Sequence, residues 1–119
     1  MQSHDRDAAA LWDIAEAIRE IQQFMAGVSE MEYLETLWLR RVVERNFEIL
    51  GEAARRVSPE FQRAHPDVDW GNMIGLRNII AHRYEQVDHE ILWDIMNTVL
   101  PEVLVNVERF LSELPGQSS

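Results

Sequence analysis

Arg77, Asn78, His82 and Tyr84 bring a fixed cation, an amide, a titratable base and a phenol into eight consecutive residues. Arg77 differs from the other arginines. Arg19, Arg40, Arg41, Arg45, Arg55, Arg56, Arg63 and Arg109 each have a glutamate three or four residues away, at Glu16, Glu44, Glu48, Glu52, Glu60 or Glu113, the spacing of a helix-surface ion pair. The helical neighbours of Arg77 are Met73, Ile74, Ile80 and Ala81, and Met73, Leu76 and Ile80 share its side of the helix. A guanidinium on an apolar face needs a partner, because burying it alone is very costly.

Two readings follow. In the first, the group cleaves RNA without a metal. The substrate's 2′-hydroxyl is the nucleophile, a histidine near neutral pKa moves the proton, and an arginine forks onto the phosphate as charge develops. Asn78 and His82 are four residues apart and can face each other directly. Arg77 and His82 are five apart, about 140° around a straight helix, so they share a ligand only if the helix ends near Ala81 or the site forms across a dimer axis. In the second reading Arg77 pairs with Glu48 or Glu52 and His82 caps a helix C-terminus.

Composition removes other chemistries. The chain has 119 residues, no cysteine, and 11 cations that are all arginine. Disulfides, thiol nucleophiles, cysteine-held metals, Schiff-base lysines and a P-loop lysine are excluded. His4, His65 and His89 have no metal-site spacing and are expected to face solvent. No metal or cofactor is implied. A net charge of −10 speaks against a protein that coats nucleic acid, though not against a small site with local arginines. No window reaches the length of a membrane span, and the acidic, polar Met1–Ala10 is no secretory signal, so a cytoplasmic protein is expected.

The elements that must position these residues are all helical. Leu11, Ile14, Ile18, Ile21, Met25 and Val28 make one stripe on a first helix from about Asp5 to Ala26. Gly27 stops it and Ser29 caps a second helix from about Glu30 to Val57. Leu39, Val43, Asn46, Leu50, Ala53 and Val57 form that helix's main stripe, widened by Leu34, Leu37, Trp38, Val42, Phe47 and Ile49. Gly51 in its interior costs about 1 kcal/mol against alanine and implies close approach of another backbone. Ser58-Pro59-Glu60 opens a short turn ended by His65-Pro66. A third long segment spans Trp70 to about Ala81, and Asp88 caps a last helix to Leu114, kinked or split by Pro101. The expected fold is all-α, an antiparallel four- to five-helix bundle in one domain over 1–114, with 115–119 a disordered tail. Apolar surface on the second and last helices exceeds one contact, so a homodimer is expected, with Gly51 as a close-contact point.

Arg77-Asn78-Ile79-Ile80-Ala81-His82-Arg83-Tyr84 resembles the R-x4-6-H signature of the HEPN superfamily in its R-N-x-x-x-H-x-Y form. Ile49-Leu50-Gly51-Glu52-Ala53-Ala54 is similar to that family's hydrophobic-G-E-A run, and Leu92-Trp93-Asp94-Ile95 with Leu100-Pro101 to its last helix. The match covers about Trp12 to Leu114 and resembles the HepT-like toxins, small helical ribonucleases encoded beside a minimal nucleotidyltransferase antitoxin of the MntA type. The resemblance implies a homodimer with two motif copies at one cleft, Arg77 and His82 as catalytic residues with Asn78 in support, and an RNA substrate. It also implies silencing when the nucleotidyltransferase transfers AMP from ATP onto Tyr84. The alternative is a non-catalytic helical module that partners a nucleotidyltransferase or binds nucleotide.

Overall fold

The computed structural model describes residues 3–81 and 87–114. Among them are seven helices and no strand: α1 (Ser3–Met25), α2 (Glu30–Glu35), α3 (Leu37–Arg56), α4 (Pro59–Ala64), α5 (Trp70–Ala81), α6 (His89–Thr98) and α7 (Leu100–Glu113). The all-helical expectation holds. The proposed tail at 115–119 lies outside the described residues.

Local chemistry sets the boundaries. Gly27 ends α1 at φ +76°, a left-handed conformation that costs glycine little. Ser29 and Glu32 form a reciprocal capping box: Ser29 Oγ accepts from the Glu32 N–H at 3.1 Å, and Glu32 Oε1 accepts from the Ser29 N–H at 3.3 Å. Asp88 Oδ1 accepts from the Glu90 and Ile91 N–H groups and starts α6, and Pro101 sits in the first turn of α7. The last helix is therefore split, as its proline implied.

The second helix departs from expectation. It breaks at Thr36, whose backbone is extended (φ −109°, ψ 105°), and so forms two elements rather than one. In an unbroken helix the Leu34 carbonyl would accept from the Trp38 N–H. Here the Arg40 guanidinium donates to it instead, satisfying the carbonyl that the break exposes. A β-branched threonine at the break accepts the extended backbone readily.

The core explains the stripes. Leu11, Ile14, Ile18 and Ile21 of α1 are fully or almost fully buried, as are Val43, Phe47 and Leu50 of α3. Met73, Leu76 and Ile80 of α5, Leu92 of α6, and Leu100, Val107 and Phe110 of α7 close the rest. Burying each large side chain is worth about 1.5–3 kcal/mol, so this shared core decides the helix arrangement over local propensity. α3 is the central element, packed on α1 along one side and on α5 along another.

At one end of the bundle, Phe61, His65, Trp70 and Phe110 cluster. His65 stacks on Phe61 with ring centroids 3.9 Å apart, and its Nδ1 lies 3.0 Å from the Phe61 carbonyl. His65 is half-buried rather than solvent-facing, because the proline after it ends α4 and leaves the ring against these aromatics. Asp7, buried on α1, accepts from the Ser58 N–H at 2.7 Å and the Ser58 hydroxyl at 2.8 Å. Ser58 Oγ in turn accepts from the Phe61 N–H, so α1 holds the cap of α4.

Candidate functional site

Gly51 and Arg77 meet where α3 crosses α5. A methyl group built on Gly51 would lie 2.6 Å from the Arg77 Cβ and 2.7 Å from the Arg77 backbone nitrogen. Only a glycine lets these two main chains approach so closely. The expected backbone contact at Gly51 is therefore real, but it is made within the chain and not to a second copy.

This contact sets the Arg77 side chain beside the next residue of α3. Arg77 Nε lies 3.4 Å from Glu52 Oε2, while Glu52 Oε1 accepts from Arg55 Nη2 at 2.7 Å. One carboxylate thus sits between two guanidiniums. The Arg55 hydrogen bond, with smaller help from Arg55, Arg77 and Arg56 as charges, holds the Glu52 carboxyl below the usual glutamate range. Glu52 was one of the two carboxylates the spacing offered. Arg77 itself is 50% exposed, although Met73, Leu76 and Ile80 are buried. It stands at the edge of the α5 apolar face rather than within it, so the guanidinium faces solvent as well as Glu52. Asn78 is exposed next to it. His82 and Tyr84 lie outside the described residues.

Four of the surface pairs expected from spacing form: Arg19–Glu16, Arg41–Glu44, Arg55–Glu52 and Arg109–Glu113. Arg56 does not pair with Glu52, which Arg55 and Arg77 already engage. It reaches across to Asp13 on α1 at 2.8 Å. Among the described residues no group of three or more histidines and carboxylates could hold a metal ion.

A second polar cluster escaped the sequence reading. His89 was expected to face solvent, yet its side chain is only 13% exposed. Its Nδ1 lies 2.6 Å from the Tyr33 hydroxyl and its Nε2 lies 3.0 Å from Glu44 Oε2. Glu44 also accepts from Arg41, 3.0 Å from each oxygen. Tyr33 is fully buried, with its ring 5.8 Å from that of Trp93. Burial pushes the Tyr33 phenol up from its ordinary value, and the Glu44 charge adds to the rise. Burial pulls the His89 imidazole below the usual histidine range, while Glu44 pulls the other way. One signal was available: a histidine directly after the cap Asp88 sits in the first turn, where the bundle can turn it towards preceding elements.

With this geometry in view, the family model described as "Ribonuclease HepT-like" matches residues 14–110. The chain belongs to the HepT-like family. It is similar to "Putative RNase MJ1380" of Methanocaldococcus jannaschii, 36% identical over 104 residues that span 87% of this chain and 95% of the relative. It is also similar to "Probable ribonuclease HepT" of Thermococcus cleftensis, 32% identical over 99 residues, 83% of this chain and 90% of the relative. No solved structure matches. The family match takes in both sides of the α3–α5 contact and the whole Arg77–Tyr84 motif. The matched stretch of this HepT-like chain also contains Tyr33, Glu44 and His89.

Proposed function

We propose that this chain is a ribonuclease that acts as the toxin of a toxin–antitoxin pair, cleaving RNA by attack of the 2′-hydroxyl. The observation that supports it is the half-exposed Arg77 guanidinium, seated by the Gly51 contact at the start of a HepT-like motif. Arg77 binds the scissile phosphate and stabilises the charge that develops on it. His82 transfers a proton as the 2′-oxygen bonds to phosphorus and the 5′-oxygen leaves as a hydroxyl, and Asn78 orients His82 or the phosphate. The 2′-hydroxyl supplies the nucleophile, so this route calls on no cofactor. A phosphate displaces Glu52 from Arg77 as it binds, since both are anions competing for one guanidinium.

Two copies join so that two motifs share a cleft. Trp38 at 57% exposed, with Leu37, Ile91, Val99 and Val105, is apolar surface that a second copy would cover. A partner nucleotidyltransferase of the MntA type silences the toxin by moving AMP from ATP onto the Tyr84 hydroxyl, releasing pyrophosphate. The added phosphate then competes for Arg77 and Arg83 by charge and bulk.

The test is expression of the wild type, Arg77→Ala and His82→Ala without the partner. Wild type should arrest growth and leave RNA ends bearing a cyclic phosphate, and both variants should lose this by at least about a hundredfold. A wild type that cleaves no RNA at any salt concentration sinks the nuclease reading. Co-expression with the partner and ATP should add AMP-sized mass to the Tyr84 peptide, and Tyr84→Phe should escape neutralisation.

One observation favours a second reading. Arg77 already has a carboxylate partner, as expected of a structural arginine in a binding module that presents or holds nucleotide. That module would keep its nucleotide affinity in His82→Ala, and it would have no cleavage rate to lose.

A further inference from the structure

The Tyr33, Glu44 and His89 cluster ties three helices together through one imidazole. Tyr33 is on α2, Glu44 on α3, and His89 is the first residue of α6. The hydrogen-bond arithmetic has one fully satisfied solution with a neutral ring. The Tyr33 hydroxyl donates to Nδ1, Nε2–H donates to Glu44, and the Glu44 carboxylate also accepts from Arg41. Among the described residues no buried side-chain polar atom lacks a partner, so this solution leaves nothing orphaned.

A proton on His89 breaks the pattern. Both ring nitrogens then donate, the Tyr33 oxygen must accept from Nδ1–H, and the tyrosine's own hydrogen loses its acceptor in a fully buried position. The charges facing the ring come mainly from α3: Glu44 favours the imidazolium, while Arg40 and Arg41 oppose it. On α6, Asp88 directs its Oδ1 to the Glu90 and Ile91 N–H groups, and Trp93 contacts the tyrosine face rather than adding charge. Burial of the ring sets the balance against the charged form.

We propose that Tyr33, His89 and Glu44 form a pH-sensitive clasp that holds the start of α6 on α2 and α3 and lets go when His89 takes a proton. Nothing in this depends on RNA cleavage. It follows from three side chains and their donors and acceptors.

The sign is fixed by linkage. A histidine whose folded pKa is depressed binds its proton more readily in the opened state. The clasp is therefore complete above the ordinary histidine pKa and weakens as pH falls from there towards the folded pKa. Amide hydrogen exchange of the full chain, expressed as protection of α6 relative to α1, tests it between pH 7.5 and 5. Wild-type α6 should lose protection on acidification, by at most about tenfold per pH unit below the ordinary histidine value. His89→Gln offers an acceptor to Tyr33 and a donor to Glu44 without titrating, so its relative protection should stay flat. Tyr33→Phe removes the hydroxyl that protonation would orphan, and should shrink the pH effect even if the glutamine variant folds poorly. An NMR titration of wild-type His89 should give a pKa below that of a free histidine. Equal pH dependence in wild type and His89→Gln overturns the clasp, as does a His89 that titrates at or above the free value. Because none of these readouts uses nuclease activity, a failed clasp and a failed nuclease assignment are separable.

Discussion

Gly51 shows how much one missing methyl group decides. Alanine at this position gains about 1 kcal/mol of helix propensity, yet its Cβ would press on the Arg77 backbone nitrogen, which cannot swing aside as a flexible side chain could. Overpacking of this kind costs about 1–3 kcal/mol, so Gly51→Ala should be destabilising on balance. A urea midpoint higher than wild type would show that the two helices can part at no cost. Asp7 makes a parallel case with a polar group. Removing its buried carboxylate in Asp7→Ala strips the Ser58 N–H and hydroxyl of their acceptor and should cost about 1–3 kcal/mol, read from the same denaturation curve. At this scale the sequence was legible where a residue was locally improbable, as Gly51 is within a helix. It was silent where meaning came from a distant partner. Asp7 looked like any first-turn acid and Tyr33 like any helical aromatic, because Ser58 and His89 are far away along the chain.

Among the elements, caps and breakers were the most readable features. Ser29, Ser58 and Asp88 each start the helix that their side-chain chemistry implies, and Pro101 divides the last one. Ser29→Ala removes half of a capping box and should lower stability by about 1 kcal/mol. Its thermal midpoint should fall by a few degrees, with the main loss of helical signal confined to α2. The break at Thr36 was not readable. Leu34, Leu37 and Trp38 continue a helical apolar pattern across it, and periodicity reports which faces are apolar without reporting where the axis turns. The turn arises from tertiary demands: Tyr33 is drawn inward to His89, and Arg40 satisfies the carbonyl that is left open. Arg40→Ala should therefore expose the Leu34 carbonyl and speed amide exchange at Leu37 and Trp38 more than elsewhere in α3.

For the whole molecule, the all-helical architecture was clear from composition and stripe spacing, and the family from the motif with its flanking runs. The assembly was less clear, because surplus apolar surface says that something is covered without saying where. Gly51 is spent inside the chain, which moves the expected partner surface to Leu37, Trp38, Ile91, Val99 and Val105. Sedimentation should find a dimer at micromolar concentration, and Val105→Glu on α7 should shift it towards monomer without lowering the denaturation midpoint of the isolated chain. Among the described residues no helix is long and apolar enough to cross a membrane.

The meeting of Gly51 with Arg77 also governs how the motif can be dissected. The contact runs through the arginine's main chain and Cβ, and an alanine keeps both. Arg77→Ala removes only the part beyond Cβ, which reaches Glu52 and solvent, so the helix crossing survives the truncation. Arg77→Gly, one atom smaller, would open a gap against α3 and confound lost chemistry with lost architecture. The same anatomy makes the arginine a separable handle: guanidinium and scaffold can be edited one at a time, and an inactive alanine variant with wild-type stability speaks for the charge alone.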